Sequence, residues 1–314
     1  MKLILGVDAG GTTTDAIVCT PDGAVIGAGS AGCGSWEEVG LEAAVAAVLA
    51  ATTAAGTTPE RVHAAGLALA GVDWPGDEKV LSDALRAAGM PRRHVVINDA
   101  FAALRAGSPD GVGVVSCAGT GCITAARSPD GRVFRTLAVG YGEWGGSWEL
   151  AREGVHAVAR ARHGTGPPTA LTERIPQALG LPDADALFRA IAREDYHPEP
   201  SLARVVLGAA GDGDSVAILI AAAGGDGLAR SAAAAAARLE LEPPVLVVRS
   251  GGVHRAGCTA LDDAFAAGVA DLMPGCEVRL LAASPATGAA LLALDQLGRV
   301  APSVHHRLLE EAVR

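Results

Sequence analysis

A chain of 314 residues with 35 acidic and 25 basic side chains, a formal charge of −10, has no basic stripe with which to hold nucleic acid. Half of its residues are apolar and only 3% are aromatic, so the core must be built from Ala, Val and Leu, and the length suggests two domains. Lys2 and Lys79 are the only lysines, which removes a P-loop lysine and a Schiff-base lysine from the options. The 41 glycines are scattered, as the tight turns of an α/β protein require. The six cysteines form no CxxC and no regular framework. With no signal peptide ahead of the first strand, they read as reduced, mostly buried thiols of a cytoplasmic protein. No uncharged apolar run of about 18 residues or more is present, so no membrane span is expected.

In chain order, Leu3 to Val7 reads as a buried strand ending at Asp8 and turning through Gly10-Gly11-Thr12-Thr13 into a second strand, Ala16 to Cys19. A third strand follows the Pro21-Asp22-Gly23 turn, Ala24 to Gly29. A loop containing Ser35-Trp36 leads to an Ala-rich helix, Val39 to Ala51. The pattern continues with a strand (His63 to Leu69), a helix (Asp77 to Ala88), a short strand (His94 to Ile97) and a helix opening near Phe101. Three strands, helix, strand, helix, strand, helix is the order of a ribonuclease-H-like half.

The pattern then restarts, which is the most informative feature of its organisation. Gly111 to Cys117 is a strand, Gly119-Thr120-Gly121 a second glycine–hydroxyl turn, Cys122 to Arg127 a strand, and Arg132 to Leu137 another. A helix is expected over Ser147 to Arg162. Further helices are expected over Ala170 to Ala192 and over Ser201 to Arg238, with breaks near Gly211–Asp214 and Gly224-Gly225. A buried strand, Val245 to Val248, opens into Gly251-Gly252. A helix over Leu261 to Ala270, a strand over Glu277 to Leu281 and a last apolar helix from Ser284 to Leu297 precede a polar tail with a short helix beyond Arg299.

Each glycine turn alone is an ordinary tight turn. Both together, at equivalent places in two repeated units, supply backbone N–H groups and Thr hydroxyls suited to gripping a polyphosphate from two sides. Gly251-Gly252, after a buried strand, suits the close approach of a nucleoside to a helix start. Asp8, at a strand end, is placed to hold a metal ion through water. Gly27–Gly32 and Gly140–Gly145 both match GxGxxG, a chance pattern in a glycine-rich chain, and a dinucleotide fold is rejected. The dispersed histidines form no zinc cluster.

The order of these motifs resembles the actin, sugar-kinase and heat-shock-ATPase superfamily. Within it the chain is most similar to the N-acetylglucosamine kinase-like, BadF/BadG/BcrA/BcrD-type ATPases, over roughly residues 3 to 297. Gly6 to Asp15 and Val114 to Thr124 match the two phosphate motifs, Val245 to Val253 the adenosine motif, and Pro285 to Leu294 the connecting helix. The resemblance implies an α/β fold of two ribonuclease-H-like, actin-like ATPase domains with an interdomain ATP cleft. The first would cover 1–106, with the helix at about 285–297 packing back on it. The second would cover 107–284, with a helical insertion. It implies ATP with Mg²⁺, and nucleotide contacts at Gly10, Gly11, Thr12, Thr13, Gly119, Thr120, Gly121, Gly213, Gly251 and Gly252.

Asp99, in Asn98-Asp99-Ala100, matches the family's catalytic base, and a helix cap is the plainer role for it. Ser35 and Trp36 stand where the family has Asn-Trp on the sugar. Glu143, within Tyr141-Gly142-Glu143-Trp144, replaces the family's sugar-binding Asp, and Trp144 is a candidate for stacking on a sugar face. Cys122-Ile123 replaces a Ser-Asn pair. The implied function is an ATP-dependent kinase of N-acetylglucosamine or glucosamine at the 6-hydroxyl, cytoplasmic and homodimeric, with neither nucleic acid nor membrane as a partner. The alternatives are an ATPase activator of a CoA-ester dehydratase or reductase system, and a nucleotide or sugar sensor without turnover.

Overall fold

The computed structural model describes residues 2–312, and the chain folds as two compact units, each taken by itself. The first holds residues up to 115, 126–132, and those from 281 onward. The second holds 116–125 and 133–280.

In the first unit, β1 (Leu3–Ala9), β2 (Thr14–Cys19), β3 (Val25–Ala31), β4 (Val62–Leu69) and β5 (His94–Ile97) form one sheet, in the order β3-β2-β1-β4-β5. β1 runs antiparallel to β2 and β2 to β3, whereas β1 is parallel to β4 and β4 to β5. The helices are α1 (Trp36–Val39), α2 (Leu41–Ala54), α3 (Asp77–Ala87) and α4 (Asp99–Gly107). β1 reads as an unbroken apolar run because both of its faces are covered. Leu3, Leu5 and Val7 pack with Val48 and Ala51 of α2 and with Leu81 and Leu85 of α3. Ile4 and, from β2, Ile17 pack on the opposite side, against Ala286, Ala290 and Leu294 from a helix near the chain's end.

That helix lies directly on the backbone of the sheet. A Cβ added at Gly66 would sit 1.9 Å from the Ala289 carbonyl oxygen, and one at Gly6 would sit 2.3 Å from that of Ala286. The expected helix from Val39 is in fact α1 and α2, separated by Gly40 at φ +83°. α2 in turn lies close over β3, because Gly27 and Gly29 carry no side chain to hold off Ala54 and Ala55.

A second sheet consists of β6 (Gly113–Ala118), β7 (Cys122–Arg127), β8 (Val133–Arg135), β9 (Leu246–Ser250) and β10 (Glu277–Leu280), in the order β10-β9-β6-β7-β8, and the second unit takes all of it but residues 113–115 and 126–127. Its helices are α5 (Ser147–His163), α6 (Leu171–Ala178), α7 (Ala184–Ala192), α8 (Ala203–Gly211), α9 (Ser215–Arg238) and α10 (Thr259–Leu272). β8 is shorter than the expected 132–137. The break at Gly211–Asp214 is present, but α9 runs unbroken through Gly224-Gly225. Those glycines serve packing: a Cβ at Gly225 would meet the Leu261 carbonyl oxygen of α10 at 2.2 Å. By length and composition α9 could cross a membrane. Its buried residues, Ile220, Ala221, Leu228 and Ala232 among them, make it a core helix here.

The chain ends in α11 (Pro285–Asp295), the helix lying on β1 and β4, and α12 (Pro302–Ala312). α12 is the short helix expected in the polar tail, and it is docked: Leu308 is fully buried, and Glu311 accepts the Val25 N–H at 2.8 Å. At the inner end of α4, Arg105 is 3% exposed and makes a two-point ion pair with Asp295 of α11, at 2.8 and 3.1 Å. That pairing fixes the helix whose first residue is Asp99.

Candidate active site

The turn between β1 and β2 is closed by the Gly10 N–H donating to Thr13 O at 2.9 Å. Gly10 O accepts from the Gly34 N–H at 3.0 Å, and Thr14 Oγ1 donates to Gly32 O at 2.8 Å, so the following loop props the turn. The N–H groups of Gly11, Thr12 and Thr13, all exposed, have no protein partner among the described residues. Glu38 reaches the same place, its Oε1 lying 2.6 Å from where a Cβ on Gly11 would be. Asp8 stands directly opposite Asp15 in the β1–β2 register, both half-buried, and Ser30 Oγ donates to Asp15 at 2.6 Å. Two carboxylates opposed across a strand pair repel. A divalent cation beside Asp8 fits that donor set.

Asn98, rather than Asp99, caps α4: its Oδ1 accepts the Ala100 N–H at 3.1 Å. The capping role weighed for Asp99 is therefore filled by its neighbour. Asn98 Nδ2 donates to Asp73 Oδ1 at 2.9 Å. The loop that brings Asp73 there is pinned by Asp77, whose Oδ2 accepts from the N–H groups of Asp73 and Trp74 at 2.9 and 2.6 Å. At the loop's start, Gly71 O accepts the Trp36 indole N–H, and Gly71 at φ +83° leaves room for that ring. Ser35, 4% exposed, precedes it. Trp36, Gly71–Trp74 and Asn98, far apart in sequence, are thus tied together by hydrogen bonds, with Ser35 and Asp99 next in sequence to two of them. Trp36 holds the loop through its N–H, and Trp74 is about half exposed beside Asp73.

In the second unit, the turn between β6 and β7 is closed by the Gly119 N–H donating to Gly121 O at 2.9 Å. Its carbonyls are taken by the first N–H groups of α5: Ser147 donates to Gly119 O and Trp148 to Thr120 O, both at 3.0 Å. The Thr120 and Gly121 N–H groups have no protein partner among the described residues. Gly251, at φ +98°, lies against β6, where a Cβ would be 2.2 Å from Ala118 O. The Val253 N–H donates to the same oxygen at 2.9 Å. Gly252 has open space around it.

Beneath this turn His254 is 1% exposed. Its Nδ1 accepts from Arg249 Nε at 3.0 Å, so the ring proton sits on Nε2 and points to Ser116 Oγ, also at 3.0 Å. Arg249 is paired in turn with Asp262. Burial, aided by the Arg249 and Arg255 charges, pulls the His254 pKa down to about 3, so the ring stays neutral and serves as a rigid link.

The loop after β8 carries Tyr141, which is largely exposed, and Gly142 at φ +84°. Glu143 turns back, accepting the Ala138 N–H on Oε1 at 2.8 Å, while its Oε2 is buried without a partner. The Trp144 ring lies against α9, with Cδ1 2.8 Å from the position of a Gly227 Cβ, so that part of the indole is engaged in packing. Glu149, in the first turn of α5, is 4% exposed and also has an unpartnered buried Oε2. Burial, with added pressure from the Glu149 and Glu143 charges, raises the Cys122 thiol to about 12. Gly213 turns α8 into α9, and the adjoining Asp214 accepts from Thr169 and Ala170 at the start of α6.

Asp73 and Glu149 are the residues that sequence reasoning passed over. Asp73 ends a strand-and-glycine segment much as Asp8 ends β1. Glu149 gives only the signal of an acid in a helix's first turn. All six cysteines are free, with Cys19, Cys122 and Cys258 buried and the other three half-buried. Among the described residues no group of three or more His, Cys, Asp or Glu side chains is arranged to hold a metal ion.

The sequence signature of the BadF/BadG/BcrA/BcrD ATPase family matches residues 5–293. An N-acetylmuramic acid/N-acetylglucosamine kinase of Clostridium acetobutylicum is 27% identical over 226 residues, covering 69% of this chain and 74% of that one. An N-acetyl-D-glucosamine kinase of Dictyostelium discoideum is 24% identical over 94% of this chain and 98% of its own. Among solved structures, a Chromobacterium violaceum protein provisionally assigned as an N-acetylglucosamine kinase superposes with a TM-score of 0.72 at 24% identity. It covers 93% of this chain and 99% of that one. A glucokinase of the ROK family from Streptomyces griseus, in complex with glucose and AMPPNP, superposes at 0.60 with 22% identity, over 93% and 99%. These superpositions show that the chain shares the α/β fold of those two proteins.

Proposed function

We propose that this chain, which belongs to the BadF/BadG/BcrA/BcrD ATPase family, is an ATP-dependent hexosamine kinase that phosphorylates the 6-hydroxyl. The observation that carries the reading is Asp99, which opens α4 while its neighbour Asn98 does the capping. The two curated kinases supply the substrate class, an amino sugar.

On this reading the unpartnered N–H groups of Gly11, Thr12 and Thr13, and those of Thr120 and Gly121, donate to phosphate oxygens, with the Thr hydroxyls beside them. Gly251 and Gly252 leave room for the nucleoside. Asp8 orients Mg²⁺, which when bound neutralises charge on the transferring phosphate. The sugar hydroxyl oxygen forms a bond to the γ-phosphorus, the bond from that phosphorus to the bridging oxygen breaks, and ADP leaves. The hydroxyl proton passes to Asp99. Asp73 and Asn98 hold the start of α4, so the carboxylate meets the hydroxyl in a fixed orientation. Ser35 and Glu143 are placed to bond sugar oxygens. The reading includes a cytoplasmic setting and a homodimer.

ADP release measured across a panel of sugars tests it. A hexosamine should raise ATP turnover well above background, with one ADP formed per phosphorylated sugar. Turnover indifferent to every sugar would overturn the proposal.

A further inference from the structure

The first unit carries a cationic recess at the end of its sheet remote from Asp99. It has a volume of about 580 Å³ and is lined by His63, Pro91, Arg92, Arg93 and Gln296, all of them within that unit. His63 is the second residue of β4 and Arg93 immediately precedes β5, whereas Asp99 lies beyond the other end of β5. The recess is thus at the amino ends of the parallel strands. The four residues of β5, about 13 Å of extended chain, separate it from the candidate catalytic carboxylate.

The segment that bears the two arginines is held in place. The Ala65 N–H donates to Arg93 O at 3.0 Å, which ties it to β4. His94 Nδ1 donates to Pro91 O at 2.6 Å, and its Nε2 accepts from Ser82 Oγ of α3 at 2.7 Å. Arg93 Nη1 donates to His63 Nε2 at 3.4 Å, and Gln296 Nε2 donates to Ala65 O at 3.2 Å. Both arginines are exposed, and among the described residues neither pairs with a carboxylate. Asp295, beside Gln296 in sequence, is taken by Arg105. In a chain of net charge −10, this recess gathers donors and positive charge with no acid in its lining.

A single arginine already fills both oxygens of a carboxylate, so two neighbouring guanidiniums call for a larger anion. A phosphate monoester offers three terminal oxygens and a charge of about −1.5 to −2, enough for both. The volume falls in the range of about 300–1,000 Å³ found for small-molecule sites, which leaves room for an organic group on the phosphate. We infer that the recess is a second anion site, which binds a small organic phosphate monoester through Arg92 and Arg93, with His63 and Gln296 beside them. The inference does not depend on the kinase reading, because binding is read without turnover.

Isothermal titration of the full-length protein with glycerol 3-phosphate, which lacks a sugar ring, tests it. Saturating AMPPNP and Mg²⁺ are present to occupy the proposed phosphate turns. The parent is compared with Arg92→Gln, Arg93→Gln and the charge-matched Arg238→Gln at the end of α9. The parent should bind glycerol 3-phosphate more tightly than inorganic phosphate. Arg92→Gln and Arg93→Gln should each weaken that binding about 10- to 100-fold, as expected for losing a hydrogen bond to a charged group, and Arg238→Gln should leave it unchanged. Melting temperatures near the parent's confirm that the variants fold. No binding, binding indifferent to Arg92 and Arg93, or an equal loss in Arg238→Gln would overturn the site. Equal affinity for inorganic phosphate would overturn the monoester in favour of free phosphate.

Discussion

The glycine turn after β1 and the glycine turn after β6 are closed the same way, by an N–H of the first glycine bonded to a carbonyl two or three residues on. Their supports differ. The first leans on a loop, through Gly34 and the Thr14 hydroxyl, and has carboxylates beside it: Asp8, Asp15 and Glu38. The second leans on the start of α5, which fills its carbonyls, and on a strand end that Gly251 lets approach β6. The N–H donors proposed for phosphate are thus held by a pliable scaffold in one unit and a stiff one in the other. The two should respond unequally to damage.

The largest contrast is expected from two glycine replacements. Gly251→Ala forces a side chain into left-handed backbone and against a carbonyl oxygen that belongs to a core strand, neither of which can give way. A loss of about 3–5 kcal/mol in stability is expected, read as a lower denaturant midpoint, together with loss of ATP binding. Gly34→Ala meets the Thr14 hydroxyl at 2.4 Å, which can swing away at the loss of one hydrogen bond, and Ala9 Cβ of β1 at 2.8 Å, from which the Gly34 loop must draw back. About 1–3 kcal/mol is expected. Equal losses would dissolve the distinction between pliable and stiff supports.

Acid should expose the second turn first. His254 has a pKa of about 3 when folded and about 6.5 when unfolded, so between those values the unfolded chain binds the extra proton. Its contribution is complete above pH 6.5 and is lost as the pH falls toward 3. In His254→Gln the drop in melting temperature between pH 7 and pH 4.5 should be smaller than in the parent. Parallel curves would show that His254 is not the group responsible.

Smaller effects are expected from removing one hydroxyl from each turn. Thr12→Ala and Thr120→Ala should each raise the KM for ATP several-fold, since one hydrogen bond contributes a net of about 0.5–1.5 kcal/mol. The melting temperature should hold in both. A change in Thr120→Ala alone would mean that the first turn holds something other than phosphate.

The strands and the two turns were legible because buried strands and glycine–hydroxyl pairs leave local marks. What failed to show were the features set by distant neighbours. Gly224-Gly225 looks like a helix break until α10 is seen against it, where the glycines admit a backbone rather than end a helix. The chain beyond Arg299 looks polar because only His305 and Leu308 of α12 are buried. Asp73 reaches Asn98 across 25 positions, so nothing in either segment announces the bond. Trp144 has the composition of a sugar-stacking residue, yet α9 brings Gly227 against its ring. In the site, the two glycine turns could be read from sequence, but the hydrogen bonds that hold the start of α4 beside Asp99 could not.

The central claim is that Asp99 takes the proton of an attacking sugar hydroxyl, and single-turnover phosphoryl transfer to glucosamine in the parent and in Asp99→Asn tests it most directly. A fall of about 10²- to 10⁴-fold in the transfer rate is predicted, with ATP affinity and melting temperature little altered. Transfer at the parental rate in Asp99→Asn would contradict the account.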